Sequence, residues 1–230
     1  MRGDDHDEIV CRYGPWRDRG PADVADLLAD YPGAWWISGG WAIEAFSGVA
    51  RPHGDIDPSI PVADVPLLRR HLAGRLEVWA ADRGSLRPLT GDPDEPLAPT
   101  CGNLWLRAGG AQPWEYDVIL MTADAATWTY KRDPRVSLPT ADILWRTGGL
   151  TYLRPEVQLL HKAPGLRPKD QQDLTSLCRC SRSRPGTGCV ARSTSPIPGT
   201  PGGHSCERPD YRVRERPSST RNAHDRASRG

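Results

Sequence analysis

Apolar and polar residues alternate along the first part of the chain in a pattern that predicts interleaved helices and strands. An amphipathic helix is expected to begin at Pro21, followed by a short buried strand over residues 34–38. Gly39-Gly40 then predicts a tight turn, and the spacing of apolar residues predicts a second helix over residues 41–46.

This succession of helix and strand patterns continues to about Leu177. In chain order, the remaining predicted elements are a strand over 55–60, a helix capped by Asp64, a strand over 76–80, a loop over 84–102, a hairpin of 103–107 with 114–120, and helices that begin at Pro155 and Pro168. Because helices and strands are intermixed throughout, we expect an α/β or α+β domain.

Composition divides the chain into three parts. Residues 1–19 are polar and are expected to be irregular, and residues 20–177 form the predicted domain. Residues 178–230 contain 11 Arg, no Lys and 4 acidic residues, a balance of +7 that leaves −6 for the preceding residues. This last part is rich in Arg, Ser, Pro and Gly and has no apolar periodicity, so we expect a disordered tail.

The sequence disfavours a secreted or membrane protein. The first residues are acidic and lack the apolar core of a signal peptide, and no run approaches the ~20 apolar residues that span a bilayer. Cys11 and Cys101 are far apart, which predicts reduced thiols and a cytoplasmic protein.

The tail is not expected to form a zinc site or a specific nucleic-acid interface. Its four cysteines lack the paired two-residue spacing of structural zinc sites. Its arginines favour nucleic acid by charge alone, because Tyr211 is the only aromatic residue that accompanies them.

The chemistry of the domain centres on Gly39-Gly40 and on Asp55 with Asp57. In a strand, residues i and i+2 point to the same face, so the two carboxylates are expected side by side. A glycine turn that opens a helix offers free N–H groups and the positive end of the helix dipole, which favour phosphate. Because Mg²⁺ prefers carboxylate oxygens, these features predict a site for a nucleoside triphosphate and Mg²⁺.

A third acid is expected near the attacking hydroxyl of such a reaction, and the predicted strand over 114–120 offers two. Glu115 and Asp117 share one face by the period of two, and periodicity does not choose between them. An ordinary solvated strand face is the alternative interpretation of both residues.

Basic residues near these acids are candidates for phosphate binding. Arg51 and His53 flank the acid pair, and His53 is not expected to bind Mg²⁺ because this hard cation prefers oxygen. Lys162 and Lys169 lie in the region of the last two predicted helices. An ammonium is a good point charge for phosphate, although lysines on a surface helix are usually only solvated.

Two segments of the chain resemble a known family. They are WWISGGWAIEAFSGVARPHGDIDPSIP, over residues 35–61, and YLRPEVQLLHKAPGLRPKDQQDL, over residues 152–174. Both resemble the aminoglycoside 2″-adenylyltransferase and lincosamide nucleotidyltransferase family, within the polymerase-β-like nucleotidyltransferase superfamily. The resemblance implies that superfamily's fold, a mixed sheet with flanking helices.

The resemblance also implies an activity and a set of site residues. The activity is transfer of NMP from an NTP, with AMP from ATP favoured, to a hydroxyl of a small molecule such as an aminoglycoside-like antibiotic, with Mg²⁺ as the cofactor. It selects Asp117 rather than Glu115 as the third acid. Carried over by position, the catalytic and metal-binding carboxylates are Asp55, Asp57 and Asp117, and the triphosphate-binding residues are Ser38, Gly39 and Gly40.

The chain departs from the family pattern at three places. Glu44 stands where the family usually has Asp, and Pro58 stands where an aliphatic strand residue is usual. A proline there removes a backbone N–H and is expected to tilt the metal-bearing strand unless it lies at an edge or a bulge. Family members continue into further helices, whereas the composition of this chain changes at about Cys178. We therefore hypothesise that residues 178–230 are translated out of frame or are otherwise a non-native ending.

Three other functions remain open on the sequence alone. The chain is a candidate for a nucleotidyltransferase that acts on protein or tRNA, as toxin-type relatives do. A catalytically damaged relative is the second alternative, because of Pro58 and the altered ending. A nucleic-acid-binding protein that works through the arginine-rich tail is the third.

Overall fold

The computed structural model describes residues 5–163 and 168–183, in which helices and strands are intermixed along the chain. The strands are β1 (Trp36–Ile37), β2 (Pro58–Pro61), β3 (Glu77–Asp82), β4 (Ser85–Pro88), β5 (Asn103–Arg107), β6 (Trp114–Met121), β7 (Thr127–Thr129), β8 (Ser137–Pro139), β9 (Leu144–Thr147) and β10 (Leu150–Leu153). The helices are α1 (Asp5–Tyr13), α2 (Pro21–Leu27), α3 (Gly39–Ser47), α4 (Val65–Leu72), α5 (Pro155–Lys162) and α6 (Pro168–Ser183), with short 3-10 helices at Val62–Asp64 and Thr140–Ile143.

Eight of the strands form one mixed sheet in the order β4-β3-β5-β6-β2-β1-β10-β9, while β7 and β8 form a separate pair. Within the large sheet, β1 runs parallel to β10 and β2 runs parallel to β6, and the other neighbours are antiparallel. The predicted α+β class, with a mixed sheet and flanking helices, is therefore confirmed. The strands β1, β2 and β6 are interior neighbours, so the segments that enter and leave them meet near the middle of the sheet.

Apolar side chains cover both faces of the sheet, because successive strand residues point to opposite sides. On one face, Leu68 and other residues of α2 and α4 form a core with Ile37 and the apolar residues of the central strands. On the other face, Trp36 packs in a second cluster with Trp128 of β7. Trp36 and Ile37 are both fully buried, so the strand that leads into the glycine turn is fixed from both sides.

Pro58 is the first residue of β2, an interior strand. The N–H of Ser38 donates to the carbonyl of Asp57 (2.8 Å), and the N–H of Asp117 donates to the carbonyl of Ile56 (3.1 Å). Both bonds use acceptors that precede Pro58, so the missing N–H of the proline does not affect them. The first residue of a strand is also a position where proline is tolerated, and the segment before it is anchored to both neighbouring strands.

The structure differs from the sequence-based prediction at both ends of the chain and in one loop. Residues of α1 form a helix instead of an irregular segment, and Tyr13 at its end packs edge-on against Trp105, with ring centroids 5.5 Å apart. The predicted loop over 84–102 contains the edge strand β4, which pairs with β3. Helix α6 continues through residues 178–183 of the predicted tail, and the rest of that tail lies outside the described residues.

Candidate active site

Three carboxylates meet where β1, β2 and β6 lie side by side. Asp57 directly precedes β2, and the parallel pairing of β2 with β6 brings it beside Asp117. Asp55 lies two residues earlier, in a segment that the sequence predicts as strand and that precedes β2 in the structure. Carboxylate oxygens of the three residues all lie within 4.8 Å of one another. The structure thus brings together the three acids that the family resemblance selects.

Two residues of the neighbouring strand β5 hold the Asp117 carboxylate. Asn103 donates from Nδ2 to Asp117 Oδ1 (2.8 Å), and the indole of Trp105 is a second hydrogen-bond partner. Burial raises the pKa of Asp117 to about 7; the hydrogen bonds and Lys131 oppose this rise, and the charge of Asp55 adds to it. An acid whose ionisation is disfavoured in this way gains from a cation placed beside it.

Glu115, the alternative third acid, has a different partner because β6 contains a bulge. Arg107 on β5 pairs with Trp114 and not with Glu115, so Glu115 is an extra residue in β6. The bulge interrupts the period of two on which the predicted shared face of Glu115 and Asp117 depends. Glu115 is 3% exposed and accepts a hydrogen bond from Arg19 Nε (3.1 Å).

Gly39 allows the Asp57 carboxylate to lie against the start of α3. Its φ of +68° lies in the left-handed region, and a Cβ at this position would come within 2.6 Å of Asp57 Cγ. Glycine alone satisfies both requirements without strain. The glycine turn predicted from the sequence is therefore in direct contact with the carboxylate cluster.

Gly40 is covered by Arg51 and His53. A Cβ on Gly40 would overlap the Arg51 guanidinium and come within 2.8 Å of His53 Nδ1. Arg51 Nη1 lies 3.2 Å from His53 Nδ1, and because arginine only donates, Nδ1 must accept. The His53 proton is then on Nε2, which donates to Glu44 Oε2 (2.7 Å). Burial lowers the pKa of His53, which agrees with a neutral ring.

Ser38 and Gly39 have polar partners within the protein. The hydroxyls of Ser38 and Ser59 lie 2.7 Å apart and are buried, and Ser38 does not cap α3 with its side chain. The N–H of Gly39 donates to Gln158 Oε1 on α5 (2.8 Å). Triphosphate binding by Ser38, Gly39 and Gly40 stays a prediction, and the guanidinium of Arg51 is the positive group that lies against this turn.

Lys162 belongs to a buried ion-pair network. Its Nζ lies 2.8 Å from Asp170 Oδ1 and 2.6 Å from Asp173 Oδ2, both on α6. The two carboxylates are only 1% and 2% exposed, so they need a cation for charge balance. Nucleotide binding by Lys162 stays a prediction, as does that by Lys169, which lies on α6 but whose side chain is outside the described part of the structure.

Three residues that contact this site are absent from the sequence-based prediction: Asn103, Gln158 and Asp173. Each one forms a hydrogen bond with a partner more than ten positions away in the chain. The local pattern of apolar and polar residues does not predict contacts between such distant residues. Asn103 has a usable signal, because it is a polar residue on the predicted hairpin strand that faces Asp117. Gln158 and Asp173 lie within the second segment of family resemblance, which gives no role for them.

The chemistry of this site suits a divalent cation and a polyanion. The three clustered ligand residues offer only carboxylate oxygen, which hard cations such as Mg²⁺ prefer over nitrogen or sulfur. The positive end of α3 lies against Asp57 at Gly39, and the guanidinium of Arg51 lies against the neighbouring Gly40. A surface that favours a cation therefore adjoins one that favours an anion. A metal-bound triphosphate carries both kinds of charge and would fit this pair of surfaces.

Substitution of Gly39 by Ala should abolish cation binding, because the new Cβ would displace the Asp57 carboxylate. Gly48→Ala is the matched control: Gly48 has a φ of +70°, and a Cβ there meets nothing within 4 Å. Both variants should lose about 1 kcal/mol of stability from the left-handed backbone. Calorimetric titration with Mg²⁺ should show binding to Gly48→Ala and none to Gly39→Ala. Equal Mg²⁺ binding by the two variants would show that the contact between Gly39 and the Asp57 carboxylate does not matter for the cation site.

The raised pKa of Asp117 predicts a pH-dependent stability in protein free of divalent cations. As pH rises from about 4 to about 7, the unfolded chain releases the Asp117 proton that the folded protein retains, so stability falls. Asp117→Asn preserves an acceptor for Asn103 and removes this loss, so at pH 8 it should be more stable than the wild type by about 1–3 kcal/mol. Urea unfolding in the presence of a chelator should show this gain in the free energy of unfolding at pH 8 and little gain at pH 4. A gain that is independent of pH would contradict the raised pKa of Asp117 as its cause.

One segment of the chain matches a known protein family. Residues 22–79, less than half of the chain, match the family model described as aminoglycoside-2''-adenylyltransferase. The chain is also similar to a solved lincosamide antibiotic adenylyltransferase, LnuA with lincomycin bound, at a TM-score of 0.49 and 16% identity over 72% of this chain and 99% of that one. No curated protein matches the chain. The resemblance predicted from the sequence is confirmed, and it identifies the chain as a nucleotidyltransferase enzyme related to the aminoglycoside-2''-adenylyltransferases.

Proposed function

We propose that the protein transfers the NMP group of an NTP, with ATP favoured, to a hydroxyl of a small molecule in a reaction that depends on Mg²⁺. The contact between the glycine turn and the acid cluster is the observation that carries this proposal: Gly39 lies against Asp57, whose carboxylate lies within 4.8 Å of those of Asp55 and Asp117. The family match includes the turn and the first two acids, while Asp117 lies outside it.

The residues of the site have different roles in the proposed reaction. Asp55, Asp57 and Asp117 would hold the divalent cation, which supplies positive charge to the triphosphate and the leaving pyrophosphate. The first turn of α3, from Gly40, and the guanidinium of Arg51 would bind phosphate oxygens. These contacts would align the triphosphate so that the acceptor hydroxyl attacks the α-phosphorus in line with the leaving group.

In the bond-making step, the acceptor oxygen bonds to the α-phosphorus while the bond from that phosphorus to the bridging oxygen breaks. Asp117 would receive the proton of the acceptor hydroxyl, because its carboxylate is the one held in place by Asn103. The products are a nucleotidylated acceptor and pyrophosphate.

An aminoglycoside-like antibiotic is the favoured acceptor, on the description of the family that residues 22–79 match. Modification of such an antibiotic would give resistance to it. Pro58 does not argue for an inactive relative, because the segment before it is hydrogen-bonded to the chain on both sides. Transfer to protein or tRNA, and binding of nucleic acid through the arginine-rich tail, have no supporting contact in the described part of the chain.

A cytoplasmic location is part of the proposal, because NTP and Mg²⁺ are both supplied there. None of the helices in residues 5–163 and 168–183 is both long and apolar enough to cross a membrane. Cys11, Cys101 and Cys178 are free thiols, which agrees with a reducing compartment.

Pyrophosphate release tests the proposed activity. The full chain should release pyrophosphate from Mg²⁺ and ATP when an aminoglycoside is added, and Asp57→Asn or Asp117→Asn should reduce the rate at least ~100-fold. Glu115→Gln is the matched control, because it removes the other acid of β6 and leaves the cluster intact, so its rate should stay within roughly threefold of the wild type.

The acceptor panel separates the alternatives. Aminoglycosides and lincosamides are assayed beside total tRNA and protein acceptors, with each NTP in turn. Pyrophosphate release only with tRNA or protein would show that the acceptor is one of these macromolecules and not a small molecule. A folded wild-type chain that releases no pyrophosphate with any acceptor would overturn the proposed function in favour of an inactive relative.

A further inference from the structure

Of the ion-pair network between α5, α6 and the segment before β2, only Arg51 has a role in the reaction described above. Among the described residues it contains Arg51, Lys162, Asp170 and Asp173, two groups of each sign. Three of their side chains are less than a tenth exposed, and Arg51, at 23%, is the only one that reaches partly to solvent. The network therefore joins a partly exposed cation near the glycine turn to buried charges on α5 and α6.

Asp173 is the link between the two parts. Its Oδ1 accepts from Arg51 Nε (3.0 Å) and its Oδ2 lies 3.4 Å from Arg51 Nη2, so it faces one edge of the guanidinium. Oδ2 also accepts from Lys162 Nζ (2.6 Å). Asp173 thus shares its two oxygens between two cations, while Asp170 Oδ1 also accepts from Lys162 Nζ (2.8 Å).

The other edge of the guanidinium is held as well. Arg51 Nη1 donates to the carbonyl of Pro52 (3.0 Å) and to His53 Nδ1 (3.2 Å). With Asp173 on one edge and these two acceptors on the other, the plane of the guanidinium is fixed. The Nη2 atom that Asp173 holds is the atom that a Cβ on Gly40 would meet first. The carboxylate of Asp173 therefore sets how the cation lies on the glycine turn.

From these contacts we infer that Asp173 is a positioning residue for triphosphate binding. It acts through Arg51, whose guanidinium it orients against Gly40 before any ligand arrives, and so it lowers the entropy lost when phosphate binds. The inference rests on the proposed function, because it assigns Arg51 to the phosphates of the NTP. It also gives α6 a part in the site, although this helix lies outside the family match.

Loss of one buried charge would disturb the fold whatever its role, so single substitutions of Asp173 to Asn do not separate the two effects. Two double variants do separate them: Asp173→Asn with Lys162→Met, and Asp170→Asn with Lys162→Met. Both remove one buried carboxylate and the same ammonium, so both keep the network neutral. Only the first removes the partner of Arg51, and any contribution of Lys162 itself cancels in the comparison.

The test compares the two double variants in the full chain. The KM for the NTP and the Kd of inorganic tripolyphosphate, measured by calorimetry with Mg²⁺, should both be roughly tenfold higher in the Asp173→Asn double than in the Asp170→Asn double. The kcat values of the two should agree within roughly threefold, because the acid cluster is intact in both. Equal KM and Kd values in the two doubles would overturn the inference.

A third variant covers the case in which a double variant does not fold. Asp173→Glu keeps the charge and moves the carboxylate by one methylene, so it should fold and raise the tripolyphosphate Kd several-fold; an unchanged Kd would also overturn the inference. Failure of the proposed function is a separate result: there the wild type itself would bind no tripolyphosphate with Mg²⁺ and release no pyrophosphate.

Discussion

The close approach of the Asp55, Asp57 and Asp117 carboxylates is the constraint on which the arrangement of this site depends. Their carboxylate oxygens lie within 4.8 Å of one another near the middle of a mixed sheet, where water screens charge poorly. The fold holds them there by strand pairing, since the N–H of Asp117 is bonded to the segment that bears the other two acids. The cost of this arrangement is visible in the pKa of Asp117, which burial and Asp55 raise to about 7.

Positive charge lies beside the glycine turn that adjoins the cluster. Arg51 lies over Gly40 at the start of α3 and forms an ion pair with Asp173 on α6. Lys162 of α5 pairs with Asp170 and Asp173 of α6, and Arg51 adds a second cation to this ion-pair network. The carboxylate oxygens of the cluster favour a divalent cation, and the adjoining turn at the start of α3 favours an anion. A metal-bound triphosphate satisfies both at once.

Local patterns in the sequence predict much of this fold, and they do so where an element depends on its own residues. Pro21 begins α2, the hairpin of β5 and β6 follows from two apolar runs around a glycine pair, and Pro155 begins α5. The i, i+2 spacing of Asp55 and Asp57 likewise predicts that the two carboxylates lie together. The start of β2 differs by three residues, because pairing on both sides and not periodicity decides where a strand begins.

The rest depends on contacts between distant parts of the chain. The choice between Glu115 and Asp117 is decided by a bulge, and a bulge is a property of the pairing between β5 and β6. Lys162 is predicted from its charge as a phosphate ligand, yet it lies between two carboxylates that come from the next helix. Helix α1 is fixed by a tyrosine that reaches Trp105 across the chain. None of these pairings leaves a local signature in the sequence.

Proton release on cation binding tests the central claim most directly, because it reports on the Asp117 carboxylate and on the cation together. Mg²⁺ is titrated at pH 7, without nucleotide, into the wild type and Asp117→Asn in two buffers of different ionisation enthalpy. The wild type should release a measurable fraction of a proton for each ion bound, because a carboxyl with a pKa of about 7 ionises fully beside a cation. Asp117→Asn should bind more weakly and release none. Binding by the wild type without proton release, or equal binding by both proteins, would contradict a cation site built on these three carboxylates.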